Sequence, residues 1–297
     1  RSFLQVKAMT IATIDIGGTG IKFASLTPDG KILDKASTAT PETLEELLAW
    51  LDQRLSERDY RGIAMSVPGA VHQETGVIEG ISAIPYIHGF SWYEALAHHK
   101  LPIHLENDAN CVGLSELLAH PEIENAACVV IGTGIGGAMI INGKLHRGRH
   151  GLGGEFGYMT TIEPAERLNN WSQLASTGNM VRYVIEKSGQ TDWDGRKVYQ
   201  EAAAGNALCQ EAIERMNRNL AQGLLNIQYL IDPDVISLGG SISQNPDFIK
   251  GVQEAVDTFV ERYEEYTIAP VIQACTYQAD ANLYGALVNW LQEENQW

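Results

Sequence analysis

The chain has 297 residues, 44% of them hydrophobic, and a formal charge of −16 at neutral pH, enough for one large domain or for two of roughly 100–200 residues. An acidic chain with no basic stripe excludes partners that need clustered Lys and Arg, nucleic-acid backbones above all. No run approaches the ~18 apolar residues of a membrane span and residues 1–10 lack the apolar core of a signal peptide, so a cytoplasmic protein with no membrane partner is expected.

In chain order, residues 1–8 precede Met9 and read as the remnant of an expression vector, outside the fold. Residues 11–16 predict a buried strand that runs into Asp15-Ile16-Gly17-Gly18-Thr19-Gly20, followed by a second strand and a hairpin signal at Asp29-Gly30. Thr40 as cap and Pro41 at the first position are expected to open a helix in which Leu44, Leu47, Leu48, Leu51 and Leu55 recur at helical intervals. Residues 62–67 predict a strand ending at Pro68-Gly69. Leu101, Ile103 and Leu105 alternate into another, which delivers Glu106-Asn107-Asp108-Ala109-Asn110.

A helical pattern over residues 109–119 precedes a strand at 127–131, the second glycine turn Gly132-Thr133-Gly134-Ile135-Gly136-Gly137, an apolar stretch and a hairpin signal at Asn142-Gly143. Helical patterns return at about 176–187 and 207–230, the latter stopping before Asp232-Pro233. A strand at 235–238 meets a third turn, Gly239-Gly240-Ser241; a helix at 246–263, a strand at 270–275 and a final helix from about Asn282 complete the chain. Strands alternating with helices predict an α/β sheet covered by helices, which binds ligands beyond the carboxyl ends of its strands, where Gly17, Gly69 and Asp108 fall. The division into lobes is expected just beyond Asp108, near residue 110, with the active cleft between them.

Two glycine turns flanking one carboxylate, Asp108, suggest phosphoryl transfer. The second turn fits Gly-x-Gly-x-x-Gly at Gly132, Gly134 and Gly137, with Glu155 at the distance of a ribose-binding acid. A dinucleotide site, however, opens a helix at its glycines, whereas both turns here lead into strands. No Gly-Lys-Ser/Thr closes either turn, so the Walker loop is excluded as well. Strand, glycine turn, strand, hairpin and strand recur in the same order in both segments, which reads as an internal duplication. Two facing copies would present backbone N–H groups to a polyphosphate, with glycine allowing close approach. Asp108 also suits the N-cap of its helix, a role that Asn107 can fill instead.

Cys111, Cys128, Cys209 and Cys275 show no C-x-x-C spacing, so buried free thiols are expected in place of disulfides or a thiolate zinc site. The eight histidines, the His98-His99 pair included, show no ligand spacing.

Asp15-Ile16-Gly17-Gly18-Thr19 with Lys22, Glu106-Asn107-Asp108-Ala109-Asn110, Gly132-Thr133-Gly134-Ile135-Gly136-Gly137, Gly154-Glu155-Phe156-Gly157 and Leu238-Gly239-Gly240 fall in one order that resembles the ROK family of sugar kinases and repressors. The likeness runs from Met9 to the end of the chain, through Asp232-Pro233 and Tyr284-Gly285-Ala286. It implies an α/β, actin-like ATPase (ribonuclease H-like) fold with two lobes and a cleft: residues 9–110, joined by the last helix at 283–297, and residues 111–282. It further implies an ATP-dependent carbohydrate kinase acting on the C6 hydroxyl of glucose, a related hexose or a β-glucoside, with Asp108 as general base. Asn107, Gly69, Glu155 and Tyr158 would border the sugar. Gly17, Gly18, Thr19, Lys22, Gly132, Thr133 and Gly134 would line the phosphates, Gly239 and Gly240 the adenosine, and Asp15 would reach Mg²⁺ through water. ATP, the sugar and Mg²⁺ are the small-molecule partners implied. The oligomeric state is left open, with a homodimer as the assembly considered.

Departures from the family pattern narrow this reading. Where zinc-bearing members carry a histidine and a cysteine cluster, this chain has Tyr158 and no cysteine between Cys128 and Cys209, so no structural zinc is expected. Trp171-Ser172-Gln173 and Ala83 replace further polar positions, and Gln173 and Tyr158 are candidates to substitute for the missing sugar contacts. An extra aromatic would suit stacking on a second sugar ring, so plain glucokinase activity does not follow. The alternative within the family is a sugar-sensing repressor without turnover. The eight residues before Met9 and the acidic charge argue against that alternative, and the Asn107-Asp108 pair against a filament- or chaperone-type ATPase.

Overall fold

The computed structural model describes residues 9–162 and 168–297; the expected vector remnant at residues 1–8 lies outside them. The chain divides into two compact units. One runs to Pro121 and includes Arg149–Gly151 and Asp280–Trp297; the other comprises Glu122–Gly148 and Leu152–Ala279.

In the first unit, β1 (Ile11–Ile16), β2 (Gly20–Leu26) and β3 (Ile32–Ala39) form an antiparallel meander. Then come α1 (Leu44–Ser56), β4 (Gly62–Val67), a small hairpin of β5 (Ala70–His72) and β6 (Val77–Glu79), α2 (Trp92–Ala95), β7 (Ile103–Asn107) and α3 (Asp108–Ala119). The sheet order is β3-β2-β1-β4-β7, with β4 parallel to β1 and β7. Every residue of β1 and of β4 is buried, because helices cover both faces, and this gives the near-continuous apolar runs of buried parallel strands. Leu47, Leu51 and Leu55 of α1 join Ile14, Phe23 and Ile63 on one face; Cys111 of α3 joins Ile11, Ala64, Leu287 and Trp290 on the other.

The first helix opens later than the sequence suggests. Its cap is Thr43, whose hydroxyl accepts from the Glu46 N–H at 3.3 Å. Thr40 instead donates to the Gly17 carbonyl at 2.6 Å, and the Pro41 carbonyl accepts from the Tyr86 hydroxyl. Two threonines offered the same local chemistry, and tertiary bonds claimed the first.

The second unit holds β8 (Ala126–Ile131), β9 (Ile135–Ile141), β10 (Lys144–Leu145), β11 (Thr160–Ile162), β12 (Leu168–Asn170), α4 (Trp171–Ala175), α5 (Thr177–Ser188), α6 (Gly195–Ala203), α7 (Ala207–Ile231), β13 (Val235–Gly239), α8 (Pro246–Arg262) and β14 (Ile272–Ala274). The last helix, α9 (Ala281–Glu293), returns to the first unit. The second sheet has the order β10-β9-β8-β13-β14, antiparallel across β8 to β10 and parallel across β8, β13 and β14. This is the arrangement of the first sheet, so the internal duplication inferred from the two glycine turns extends to whole sheets. All four cysteines are free and buried. Among the described residues, no helix is long and apolar enough to cross a membrane.

Candidate active site

Strand register sets the floor of the candidate site in the first unit. Asp15 pairs with Ser66 across β1 and β4, and Ser66 with Glu106 across β4 and β7, which aligns three polar residues near the carboxyl ends of parallel strands. The loops just beyond carry Gly17, Gly69 and Asp108. Asp15 is 6% exposed; its Oδ1 accepts from Asn282 Nδ2 at 2.9 Å, and Lys22 Nζ lies 3.5 Å from Oδ2. The first glycine turn is closed by Gly17 N–H donating to the Gly20 carbonyl at 3.1 Å. It opens on a cavity of about 490 Å³ lined by Asp15, Gly17, Thr19, Lys22 and Thr38. A Cβ on Gly18 would sit 3.2 Å from Ala83 Cβ, so the Ala83 segment lies against this turn.

Glu106 holds the end of β7 in place. It is 2% exposed; Oε1 accepts from Asn107 N–H at 2.8 Å and Asn110 Nδ2 at 2.9 Å, and Oε2 from Gln73 Nε2 at 3.4 Å. Asn107 caps α3, its Oδ1 accepting from the N–H groups of Ala109 at 2.9 Å and Asn110 at 3.2 Å, while Nδ2 donates to the Gly69 carbonyl at 3.0 Å. Capping therefore falls to Asn107, and Asp108 is not required for it. The Asn107 amide also hydrogen-bonds to the Asp108 carboxyl and acts to lower it.

Asp108 occupies the first turn of α3, half-buried, with Oδ1 accepting from Ala109 N–H at 2.8 Å. Burial raises its carboxyl above the usual aspartate range. The Ala109 N–H opposes that shift and the nearby charge of Asp15 adds to it. A partly accessible carboxylate made more basic by its surroundings has the character of a general base.

Gly69 has φ +101°, and a Cβ there would lie 2.7 Å from the Glu79 carbonyl oxygen. The turn beyond β4 thus requires glycine for conformation and for space.

In the second unit, Gly132 N–H donates to the Gly134 carbonyl at 2.9 Å, and Gly178, near the start of α5, donates to the Gly132 carbonyl at 3.1 Å. Ser172 of α4 steadies the same turn, accepting from Ile135 N–H at 2.8 Å. Gly240 has φ +89°, and a Cβ there would collide with the Ile131 carbonyl. The second and third glycine turns are therefore neighbours at the ends of β8 and β13, joined by the amino end of α5. Beside them lies a cavity of about 520 Å³ lined by Thr177, Asp194, Arg196, Tyr199, Gln244 and Asn245, among others. Sequence reasoning found the glycines but missed these side chains, because they come from α5, α6 and the turn Ser241–Gln244 and form no local motif.

Glu155 stands in a loop pressed onto β9: Gly154 has φ +90°, and its Cβ would come within 2.9 Å of Ala138 Cα. Tyr158 is 72% exposed. Trp171 is 1% exposed, with its indole N–H donating to the Asn219 carbonyl at 2.8 Å, so it packs in the core. Gln173 completes a capping box with Asn170 at the start of α4. Of the two candidates for the missing sugar contacts, Gln173 is engaged in the cap of α4 and Tyr158 has its ring in solvent.

The chain matches the ROK family over residues 11–293. It is 35% identical to a β-glucoside kinase of Listeria monocytogenes, across 97% of this chain and 99% of that protein. A ROK family protein from Streptococcus pneumoniae TIGR4, solved in complex with sucrose, is 88% identical and superposes with a TM-score of 0.95 over 97% of this chain and 100% of that one. The ROK hexokinase of Thermus thermophilus superposes with a TM-score of 0.84 at 25% identity, over 97% of this chain and 100% of its own. The duplicated sheets are those of the actin-like ATPase fold that the ROK sugar kinases share, and the protein belongs to the ROK family.

Proposed function

We propose that the chain transfers the γ-phosphoryl group of ATP to the C6 hydroxyl of a glucoside, with β-linked disaccharides as its preferred acceptors and Asp108 as the general base. The protein is an ATP-dependent carbohydrate kinase, in keeping with the named kinases that it matches end to end. The observation that carries the finer reading is Asp108 itself: its own helix is capped by Asn107, its carboxyl is raised by burial and by Asp15, and it lies just beyond the strand ends.

Phosphoryl transfer asks for positioning and charge neutralisation more than for covalent chemistry. In the proposed step Asp108 takes the proton of the sugar hydroxyl as that oxygen bonds to the γ-phosphorus, and the bond to the bridging oxygen of ADP breaks. Asn107 holds a neighbouring hydroxyl, and Gly69, Glu155 and Tyr158 complete the sugar contacts. Gly17, Gly18, Thr19, Lys22, Gly132, Thr133 and Gly134 hold the phosphates. Gly239, Gly240 and the cavity with Thr177, Arg196 and Gln244 hold the nucleoside.

Asp15 suits a Mg²⁺ that keeps most of its water, since it offers one hard carboxylate beside a phosphate turn that a Cβ at Gly17 would crowd, 2.9 Å from the Gly20 carbonyl oxygen. When bound, that ion supplies charge neutralisation on the phosphates. ATP as co-substrate and the charge of −16 support a cytoplasmic enzyme without nucleic-acid partners.

A two-ring acceptor is favoured because the relative in Listeria is a β-glucoside kinase, the 88% identical protein was solved with the disaccharide sucrose, and Tyr158 presents an exposed ring. A coupled ADP-release assay over hexoses, N-acetylhexosamines and β-linked disaccharides, with Asp108→Asn in parallel, tests the proposal. Sugar-dependent release that survives the substitution removes Asp108 from its role. No release with any sugar favours the sensing alternative.

A further inference from the structure

Asp52 of α1 and the pair His98-His99, in the 3-10 turn Ala97–His99, lie far apart in sequence, yet Nε2 of His98 and of His99 sit 2.9 Å and 2.6 Å from the same oxygen, Oδ1 of Asp52. The two rings pack with centroids 4.1 Å apart at 40°. Among the described residues, these three side chains form a group whose ligand atoms all lie within 4.8 Å of one another. We infer that Asp52, His98 and His99 form a surface site for a divalent transition cation of the zinc, cobalt or nickel type, separate from the kinase site.

The donor set decides the class of ion. Two imidazole nitrogens and one carboxylate oxygen suit borderline cations, whereas Mg²⁺ prefers oxygen alone. Three protein ligands leave a fourth position of a tetrahedral shell for water. Ligands at about 2.0–2.2 Å from zinc stand roughly 3.3 Å apart in such a shell. The present N···O separations of 2.9 and 2.6 Å therefore need to open by less than one ångström. His98 and Asp52 have side chains 56% and 44% exposed, so both are free to shift. The His99 side chain is 16% exposed and held, and Lys100, in the left-handed conformation at φ 55°, ends the turn that carries both imidazoles.

An ion that ligates both imidazoles and Asp52 Oδ1 would replace the two contacts now made to that one oxygen. The ion would join α1 to the segment after α2, two parts of the first unit brought together only by folding. Binding to the folded chain alone raises its apparent stability.

The test is titration of the full chain, stripped by a chelator, with cobalt(II) chloride, read by isothermal titration calorimetry, visible absorption and melting temperature. Wild type is expected to bind one equivalent, with tetrahedral cobalt bands that zinc(II) displaces and a raised melting temperature. His99→Gln and Asp52→Asn should each weaken binding roughly tenfold or more. His72→Gln, outside the group, should leave it unchanged, and all three variants should keep Mg-ATP-dependent kinase activity. No binding at millimolar cobalt, or binding undiminished in His99→Gln and Asp52→Asn, overturns the site.

Discussion

The Asn107 side chain donates from Nδ2 to the Gly69 carbonyl at 3.0 Å while its Oδ1 caps α3. One amide thus fixes the turn beyond β4 to the helix that carries Asp108. The two functions are separable. Asn107→Asp keeps an acceptor for the cap and loses the donor to Gly69; Asn107→Ala loses both. The alanine variant should lose about 0.5–2 kcal/mol of stability, the range of N-cap deletions, and the aspartate variant much less. Both should show a raised KM for sugar. Urea denaturation beside steady-state kinetics checks this, and equal stability losses in the two variants would show that the cap is not what Asn107 supplies.

Asp108→Asn should lower kcat by about 10²–10⁴, the usual contribution of a positioned base, with the fold intact because Oδ1 still accepts from Ala109 N–H. Stability should move the other way. The folded-state pKa of Asp108 lies above its ordinary 3.8, so the folded protein holds the proton to higher pH than the unfolded chain does. Stability therefore falls as pH rises from 3.8 through the raised value, and the deficit persists above it. The asparagine variant lacks this term, so it should melt higher than wild type at neutral pH, with the difference vanishing in acid below 3.8. In wild type, the acid limb of kcat/KM should titrate above 3.8 for the same reason.

Glu106 holds the turn that carries Asp108. Glu106→Gln keeps Oε1 as an acceptor for Asn107 N–H and Asn110 Nδ2 but places an amide against the Gln73 amide. Glu106→Ala leaves those donors unsatisfied, which costs about 1–3 kcal/mol for each buried group. The expected order of kcat is wild type, glutamine, alanine, with the acid limb of the pH profile unchanged in position. A displaced limb in the glutamine variant would mean that Glu106 itself carries the titration.

Much of this architecture was legible because it rests on local signals. β1 and β4 are buried on both faces and so read as apolar runs, and the glycines at 69 and 240 stand where a Cβ has no room. Asp108 was legible from its run at the end of an alternating strand. What stayed hidden depends on distant partners. The choice of Thr43 over Thr40 was decided by Gly17 and Tyr86. The short α4 is pinned by Trp171 packing against α7 at Gly223, and α6 begins with glycine behind an Asp194 cap. The ligand-like grouping of His98 and His99 needs Asp52, which no spacing rule connects to them.

The third glycine turn offers a test of the proposed nucleotide site. Gly240→Ala forces a Cβ onto the Ile131 carbonyl and a side chain into φ +89°, a strain of about 1–3 kcal/mol before any clash. Arg196→Ala, at the rim of the adjoining cavity, introduces no strain. Both should raise the KM for ATP more than the KM for sugar. Because the glycine variant is also expected to melt lower, the arginine variant carries the conclusion, and an unchanged KM for ATP in Arg196→Ala would separate this cavity from the nucleotide.

Substitution at Tyr158 tests the proposed preference for a glycoside over a simple hexose. Its ring is 72% exposed, on the turn Phe156–Tyr158 that follows Glu155, so truncation removes little packing and should change stability by no more than about 0.5 kcal/mol. An aromatic face stacked on the second ring of a disaccharide contributes to binding that acceptor and nothing to glucose. Tyr158→Ala should therefore raise the KM for cellobiose several-fold while leaving the KM for glucose and kcat for both nearly unchanged, and Tyr158→Phe should restore it, since stacking needs the ring and not the hydroxyl. If phenylalanine fails where tyrosine succeeds, the hydroxyl is a donor in place of the family's histidine and the contact belongs to the first ring. Equal losses on glucose and cellobiose would lead to the same reassignment.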